Sequence, residues 1–317
     1  LLVKGSNVGT NPAQEAIIQE IVGGSARLFN EVFELETTYD LPDGDTVYLY
    51  RQRHYLPAGY PVEYVSRLAA DLSTRTRADD VILLMPTALA GPFAAHYTGP
   101  AELYAAPESE AELAERLAGH QRLFLVLGDA AAGSDAAGAQ IWTERWLNEH
   151  TFRADHEWAD SLQLITYGIG PGSPGAAPIF EVGARFEGQF ELVGYDLPAA
   201  TWLPGDILPL TLFWQSDSRA GDDYHVFVHL LDPGGALVAQ ADAPPAGGSR
   251  PTSSWEPEDL VVDRHGLMLP DGLAPGEYAL RVGMYLPDTG DRLQVSDRDG
   301  QPLGDGILLG KVTVENP

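Results

Sequence analysis

The chain has 317 residues, 44% of them hydrophobic, which is enough for two ordinary domains or three small ones and excludes global disorder. The net charge is −27 and there are only two lysines, so nucleic acid and anionic lipid are excluded as favoured partners because the field repels polyanions. The absence of cysteine excludes disulfides, zinc–thiolate sites and thiol catalysis. No apolar run approaches the roughly 20 residues of a membrane helix, and the N-terminus has no signal-peptide layout.

The first 75 residues predict two helices and a strand pair. Asn11-Pro12 followed by AQEAIIQEIV predicts a short capped helix that ends at Gly23-Gly24. Strands are predicted over 29–39 and 46–53, around the turn sequence LPDG. The spacing of apolar residues predicts an amphipathic helix over 61–72.

An α/β alternation follows. The segments 81–85 and 123–127 are continuous apolar runs, which are typical of strands covered on both faces. Between and after them we predict helices over 89–96, 108–117 and 136–149 and a weak strand over 101–105. A hairpin of strands 152–158 and 162–167 is predicted to close the unit. Residues 25–167 therefore predict a small α/β (α+β) sandwich with a mixed sheet.

The segment 168–178, GIGPGSPGAAP, predicts a domain boundary. It has no apolar periodicity and consists mostly of Gly, Pro, Ala and Ser. We therefore expect an α/β domain over 1–167, a Gly/Pro linker over 168–178 and a second domain over 179–317.

From residue 179 onward, the sequence predicts strands separated by turns and no helix. One hairpin is clear: 224–232 and 237–242 flank the turn Pro233-Gly234-Gly235. The other predicted strands cover 189–197, 208–214, 278–284, 292–295 and 307–314. About eight or nine short strands of this kind predict an all-β antiparallel sandwich, either immunoglobulin-like or a jelly roll.

The sequence contains no recognisable catalytic or metal motif. His225 and His229 face the same side of a strand but lie roughly 13 Å apart, too far to share one metal ion. The segment 128–134 resembles a phosphate loop, yet it lacks the required lysine and is flanked by carboxylates, so we interpret it as a strand-to-helix turn with Asp135 as the helix cap. Neither G-x-S-x-G nor H-E-x-x-H occurs, so we name no catalytic residue and predict that the chain is not an enzyme.

Aromatic residues of the second half predict a ligand surface. Trp214 alternates with leucines and is expected in the core, whereas Trp202 and Trp255 lie beside prolines and either contact a ligand or anchor loops. The loop 243–255 is the expected contact surface. The candidate ligand-binding residues are Trp202, Trp255, Tyr285 and Arg292.

The acidic residues of the loops could bind Ca²⁺, and this is the one cofactor considered. None of the acidic residues has EF-hand spacing, so the metal site stays unassigned. The aspartates considered for it are Asp222, Asp223, Asp232, Asp242, Asp263 and Asp288.

Several phrases of the second half resemble a known β-sandwich domain. They are PGDILPLTLFWQS, YHVFVHLLD, LVAQADAPPAGGSRPTSSW, LVVDRHGLMLP, PGEYALRVGMYLPDTGDRL and ILLGKVTV. That domain lies at the C-terminus of large bacterial multi-pass membrane proteins that look like glycosyltransferases of the protein-mannosyltransferase and aminoarabinose-transferase superfamily. The resemblance covers about 180–316. Residues 25–167, especially YDLPDGDTVYLYRQR, are also similar to the extracytoplasmic segment that follows the last membrane helices in those proteins.

The resemblance implies an extracytoplasmic module at the cell surface or in the periplasm, tethered through membrane helices that this sequence does not contain. The catalytic carboxylate and lipid-phosphate site of that superfamily match nothing here, so no catalytic residue is carried over. The implied partner is a glycan or a cell-envelope acceptor. The alternative is a structural or protein-interaction module without sugar binding.

Overall fold

The computed structural model describes residues 2–4, 33–40, 46–52, 62–129, 134–170, 177–199 and 201–316. Contacts divide the chain into two compact units, Leu1–Gly59 and Tyr60–Pro317. The predicted N-terminal helix and the LPDG turn lie outside the described residues.

The first unit contains a three-stranded antiparallel sheet of order β1-β3-β2. The predicted strand pair is confirmed, since Phe33 lies opposite Gln52 and Asp40 opposite Thr46. The strands are β1 (Leu2–Lys4), β2 (Phe33–Asp40) and β3 (Thr46–Gln52).

The second unit begins with a five-stranded mixed sheet of order β5-β4-β6-β8-β7. The first three of these strands are parallel, and the last two run antiparallel to their neighbours. The strands are β4 (Asp80–Met85), β5 (Glu102–Ala105), β6 (Arg122–Leu127), β7 (Phe152–Ala159) and β8 (Leu162–Gly168). The helices are α1 (Val62–Arg75), α2 (Ala90–Ala94), α3 (Glu110–Leu117) and α4 (Asp135–His150).

Strands β4 and β6 are buried along their whole length, as their apolar runs predict. Alternate side chains of these strands belong to two cores on opposite faces of the sheet, one shared with α1 and the other with α3 and α4. One detail of the prediction is wrong: the cap of α4 is Ser134, whose hydroxyl accepts from the Ala137 amide, and Asp135 is the first helical residue.

The remainder of the second unit is a sandwich of a six-stranded sheet, order β15-β12-β10-β9-β17-β18, and a five-stranded sheet, order β11-β19-β16-β13-β14. The six-stranded sheet contains β9 (Phe180–Phe186), β10 (Phe190–Asp196), β12 (Ile207–Ser216), β15 (Val261–Met268), β17 (Val295–Ser296) and β18 (Pro302–Gly304). The five-stranded sheet contains β11 (Thr201–Trp202), β13 (His225–Leu231), β14 (Leu237–Ala243), β16 (Gly276–Tyr285) and β19 (Ile307–Val314).

The sandwich core confirms the predicted alternation. Leu208, Leu210, Leu212 and Trp214 of β12 point to the same core as the even-numbered residues of β13. The fold class is therefore an α/β layer followed by a β-sandwich. Strands β9, β11, β15 and β18 were not predicted, and the strand predicted over 292–295 overlaps the two-residue β17 only at Val295.

The α/β layer covers the outer face of the six-stranded sheet. Strands β7 and β8 contact β12 and β15, and glycine permits the close approach: a Cβ at Gly266 would overlap the backbone of β7. Thr211 and Phe213, which point away from the sandwich core, are consequently buried.

Two arginines of the α/β layer form polar contacts with the turn before β12. Arg122 pairs with the fully buried Asp80, at 2.6 Å, and donates to the Gly205 carbonyl at 3.0 Å. Arg77 pairs with Asp206 at 2.8 Å. These contacts cross the predicted 168–178 boundary; independent folding of the parts on either side stays a prediction.

Among the described residues, no helix is both long and apolar enough to cross a membrane.

Candidate functional site

The outer face of the five-stranded sheet carries aromatic and charged side chains, which we name the sheet-face cluster. Odd-numbered residues of β13 point to this face because side chains alternate along a strand, and β16 pairs His225 with Tyr285 and His229 with Arg281. The cluster consists of His225, Phe227, His229, Asp242, Arg281, Tyr285, Arg292 and Asp305.

Phe227 forms the floor of the cluster. Its side chain is only 1% exposed although it points away from the sandwich core. Gly283 and Gly306 make room for the ring, since a Cβ at either position would lie too close to it. The guanidinium of Arg292 lies 4.5 Å from the ring centroid, an arrangement that fixes the cation over the aromatic face.

Asp305 lies between two arginines. Arg292 Nη1 donates to Asp305 Oδ2 at 3.0 Å, and Arg281 Nη2 donates to Oδ1. Hydrogen bonding from Arg292 is the main reason that the pKa of Asp305 is lowered. The side chains of Arg281, Arg292 and Asp305 are 25%, 36% and 39% exposed, so this trio is fixed in position and still reachable from solvent.

Asp242 links the other members of the cluster. Its Oδ1 is 3.8 Å from His229 Nε2, and its charge and hydrogen bonding add to burial in raising the pKa of Tyr285. Burial lowers the pKa of His229, with Arg292 and Arg281 acting in the same direction and Asp242 against it. His229 is consequently favoured in its neutral form.

The structure brings together two of the four sequence-predicted ligand residues. The backbones of Tyr285 and Arg292 form an isolated antiparallel β-bridge, which closes the loop that follows β16. The other members of the cluster were not predicted as ligand residues. Phe227 lies between His225 and His229, which were weighed only as metal ligands, and Asp242 was weighed only for Ca²⁺. The paired alternation of β13 and β16 is the signal that could have found Phe227 and Arg281.

Trp255 does not face solvent. Its side chain is 0% exposed, packs edge-on against Phe190 at 5.4 Å, and donates its indole N–H to the Arg250 carbonyl at 2.9 Å. The ligand role considered for Trp255 is therefore corrected: it anchors a loop, which was the other alternative.

The loop 243–255 is held in place by hydrogen bonds. Pro245 and Thr252 are buried, and the Thr252 hydroxyl accepts from the Tyr224 amide at 2.9 Å. The buried Asp263 accepts from the Ala246 amide at 2.8 Å. These bonds hold the loop on the sandwich, while Gly247, Gly248 and Ser249 stay exposed, so its role as a contact surface stays a prediction.

Trp202 lies in a different place from the sheet-face cluster. It is half-buried, and its indole N–H donates to the Ala199 carbonyl at 3.2 Å. It lines a cleft of about 410 Å³ together with Arg77, Asp79, Gln121 and Asp206. Trp202 is thus separate from Tyr285 and Arg292, and its ligand role stays a prediction.

Two of the aspartates weighed for Ca²⁺ accept hydrogen bonds from backbone amides. Asp232 Oδ1 accepts from the Gly234 and Ala236 amides, each at 2.8 Å, and Asp223 Oδ1 accepts from the Ser253 amide at 3.0 Å. Within the described ranges, no three His, Asp or Glu side chains are grouped closely enough to hold a metal ion.

The fold and the candidate site define the chain as a β-sandwich protein whose six-stranded sheet is covered by an α/β layer.

No protein-family model and no curated protein matches the chain. One similar solved structure is the crystal structure of the C-terminal domain of wzt, 15% identical with a TM-score of 0.32, covering 44% of this chain and 83% of that one. Another is a calcium-binding mutant of Bacteroides uniformis beta-glucuronidase 2, 12% identical with a TM-score of 0.23, covering 49% of this chain and 21% of that one. At these values neither similarity bears on function.

Proposed function

We propose that the β-sandwich is a non-catalytic carbohydrate-binding domain and that the sheet-face cluster is its contact surface. The observation that carries the proposal is the half-exposed Tyr285 beside the fixed Arg281–Asp305–Arg292 trio. These groups offer an aromatic face, hydrogen-bond donors and hydrogen-bond acceptors on one side of a rigid sheet.

The chemistry of a saccharide fits such a surface. A pyranose ring has an apolar C–H face that suits an aromatic ring and a rim of hydroxyls that both donate and accept hydrogen bonds. Hydrogen bonds to charged partners are the stronger ones, so arginine N–H groups and aspartate oxygens are effective contacts for hydroxyls. Six of the eight residues of the cluster lie on β13, β14 and β16, and Arg292 and Asp305 are held by their ion pairs, so little ordering is needed on binding.

The proposed context is the extracytoplasmic region of a membrane glycosyltransferase-like protein, whose bound partner would be a glycan or cell-envelope acceptor. This part rests on the sequence phrases of 180–316 described above. The reading frame upstream of Leu1 tests it: a set of encoded membrane helices is expected, and a complete gene without them would refute the tethering.

A specific observation favours a second candidate, a structural or protein-interaction module. The fully buried Trp255 braces the sandwich, which supports this alternative, whereas Trp202 is only half-buried. An absence of saccharide binding in a folded protein would favour it.

Glycan-array screening followed by calorimetry tests the first candidate. We expect binding that Tyr285→Ala weakens at least about tenfold, because a stacked aromatic contact is lost. The matched control is Trp158→Ala, since Trp158 is 59% exposed but lies on β7 of the α/β layer. Equal loss in both variants, or no binding to any saccharide, would contradict the proposal.

A further inference from the structure

Resting on this proposed function, we infer that the sheet-face cluster selects uncharged glycans over acidic ones, and that Asp305 is the residue that determines this selectivity. Two arginines on a half-exposed surface would ordinarily suggest a site for a carboxylate or a phosphate, because planar guanidinium groups bind these anions well. The position of Asp305 leads to the opposite conclusion.

Asp305 already occupies the place that a bound anion would take. One carboxylate oxygen accepts a hydrogen bond from Arg281, and the other accepts one from Arg292 at 3.0 Å. Both arginines therefore already donate to a carboxylate of the chain itself. A uronate or phosphate would have to displace Asp305 or approach it closely. Either event costs energy, since like charges repel more strongly where water is partly excluded.

The remaining charges of the cluster also disfavour an acidic ligand. Asp242 lies on the His229 side, and burial keeps that histidine neutral in preference to charged. Two arginines are thus balanced by two aspartates, so the cluster itself adds no net attraction for anions. The chain as a whole carries a net charge of −27, which repels polyanions at low ionic strength.

An uncharged sugar meets none of these obstacles. Arg281 and Arg292 each keep N–H groups beyond those bonded to Asp305, and the oxygens of Asp305 and Asp242 can accept from hydroxyls. The carboxylate of Asp305 therefore serves as a hydroxyl acceptor and at the same time excludes a competing carboxylate.

Affinity electrophoresis of the full chain in gels containing dextran, mannan or polygalacturonate, followed by calorimetry, tests the inference. We expect retardation by a neutral polysaccharide and none by polygalacturonate. Neutral binding should be nearly the same at low salt and at about 0.5 M salt, because it does not depend on screened charge.

Asp305→Asn should change this selectivity. The arginines lose their internal carboxylate, so we expect polygalacturonate binding to appear while neutral binding weakens about tenfold, as one charged hydrogen-bond acceptor is lost. The matched control is Asp217→Asn, which removes the same charge from an exposed ion pair with Arg185 on the opposite sheet. The control should leave the selectivity unchanged.

The outcomes separate the inference from the proposed function. Wild-type protein that binds polygalacturonate more tightly than any neutral polysaccharide would overturn the inference and leave carbohydrate binding standing. An Asp305→Asn variant that is folded by circular dichroism and gains no acidic binding would also overturn it. Failure of the wild type to bind any saccharide would overturn both. If the variant does not fold, the wild-type comparison of neutral and acidic ligands decides alone.

Discussion

The two outer faces of the sandwich differ in what lies on them. On the six-stranded sheet, Phe213 is 0% exposed because the α/β layer is packed over that face. On the five-stranded sheet, Phe227 is buried by the side chains of its own cluster, and charged groups lie above it. An aromatic residue in an outward strand position therefore serves packing on one face and supports a polar surface on the other.

The largest expected effect is on the covered face. Phe213→Ala should lower the free energy of unfolding by about 4 kcal/mol, since it removes a fully buried ring and leaves a cavity. Chemical denaturation measures the change. Tyr285→Ala on the other face is the comparison, and we expect it to cost less than about 1 kcal/mol. Equal costs would mean that the two faces do not differ as described.

The next largest effect is a difference in stability between breaking a buried ion pair of the α/β layer and breaking a half-exposed one of the sheet-face cluster. Arg122→Ala should cost about 3 kcal/mol because it leaves Asp80 buried without its cationic partner. The value is at the lower end for a broken buried pair, since Asp80 still accepts from the Arg77 amide at 2.6 Å. Arg292→Ala removes a half-exposed pair with Asp305 and should cost less than about 1 kcal/mol. Urea titration of both variants tests the difference.

The contrast between the faces was only partly predictable from the sequence. Alternation along β12 and β13 correctly assigned Leu212, Trp214, Val226 and Val228 to the core. Alternation says which side a residue points to, but not what covers that side. The burial of Phe213 depends on β7 and β8, which are distant in sequence and pack there because Gly266 has no side chain.

A smaller effect on stability is expected at Trp255, in the loop 243–255 that is predicted from the sequence to be a contact surface. Trp255→Phe keeps most of the packing against Phe190 but removes the indole N–H bond to the Arg250 carbonyl. We expect a loss of about 1–2 kcal/mol, because a partly buried acceptor is left without its donor. Saccharide binding should be unchanged. A loss of binding without a loss of stability would show that Trp255 contacts ligand after all.

Only two of the eight residues of the sheet-face cluster were predicted from the sequence as ligand residues, for a physical reason. Tyr285 and Arg292 are near each other in the chain, so they could be considered together. Asp242 and Asp305 come from separate segments and meet the cluster only through the pairing of β14, β13 and β16 and the return of the chain before β19. Likewise, the proline-rich neighbourhood of Trp255 indicated a loop, yet it could not reveal that the indole points inward.

The smallest effect is a pH dependence of stability at His229. Burial lowers the pKa of His229 below its ordinary value, so the unfolded chain binds its proton at a higher pH than the folded chain does. Between the ordinary pKa of about 6.5 and the lowered one, the unfolded state holds more protons, and the free energy of unfolding therefore falls as the pH decreases. Above about pH 7 His229 is neutral in both states and has no effect on this dependence.

His229→Gln isolates this contribution from that of the other titrating groups. Between about pH 7 and pH 5 the wild type should lose more stability than the variant does, because the unfolded wild type takes up the His229 proton first. His96→Gln, at an exposed position of the α/β layer, is the control and should follow the wild type. Burial sets the sign of the shift; among the charged neighbours, Asp242 and Asp305 favour the proton, and Arg292 and Arg281 oppose it. A wild type that instead gains stability on acidification relative to His229→Gln would mean that Asp242 dominates, and that the cluster carries a charged histidine.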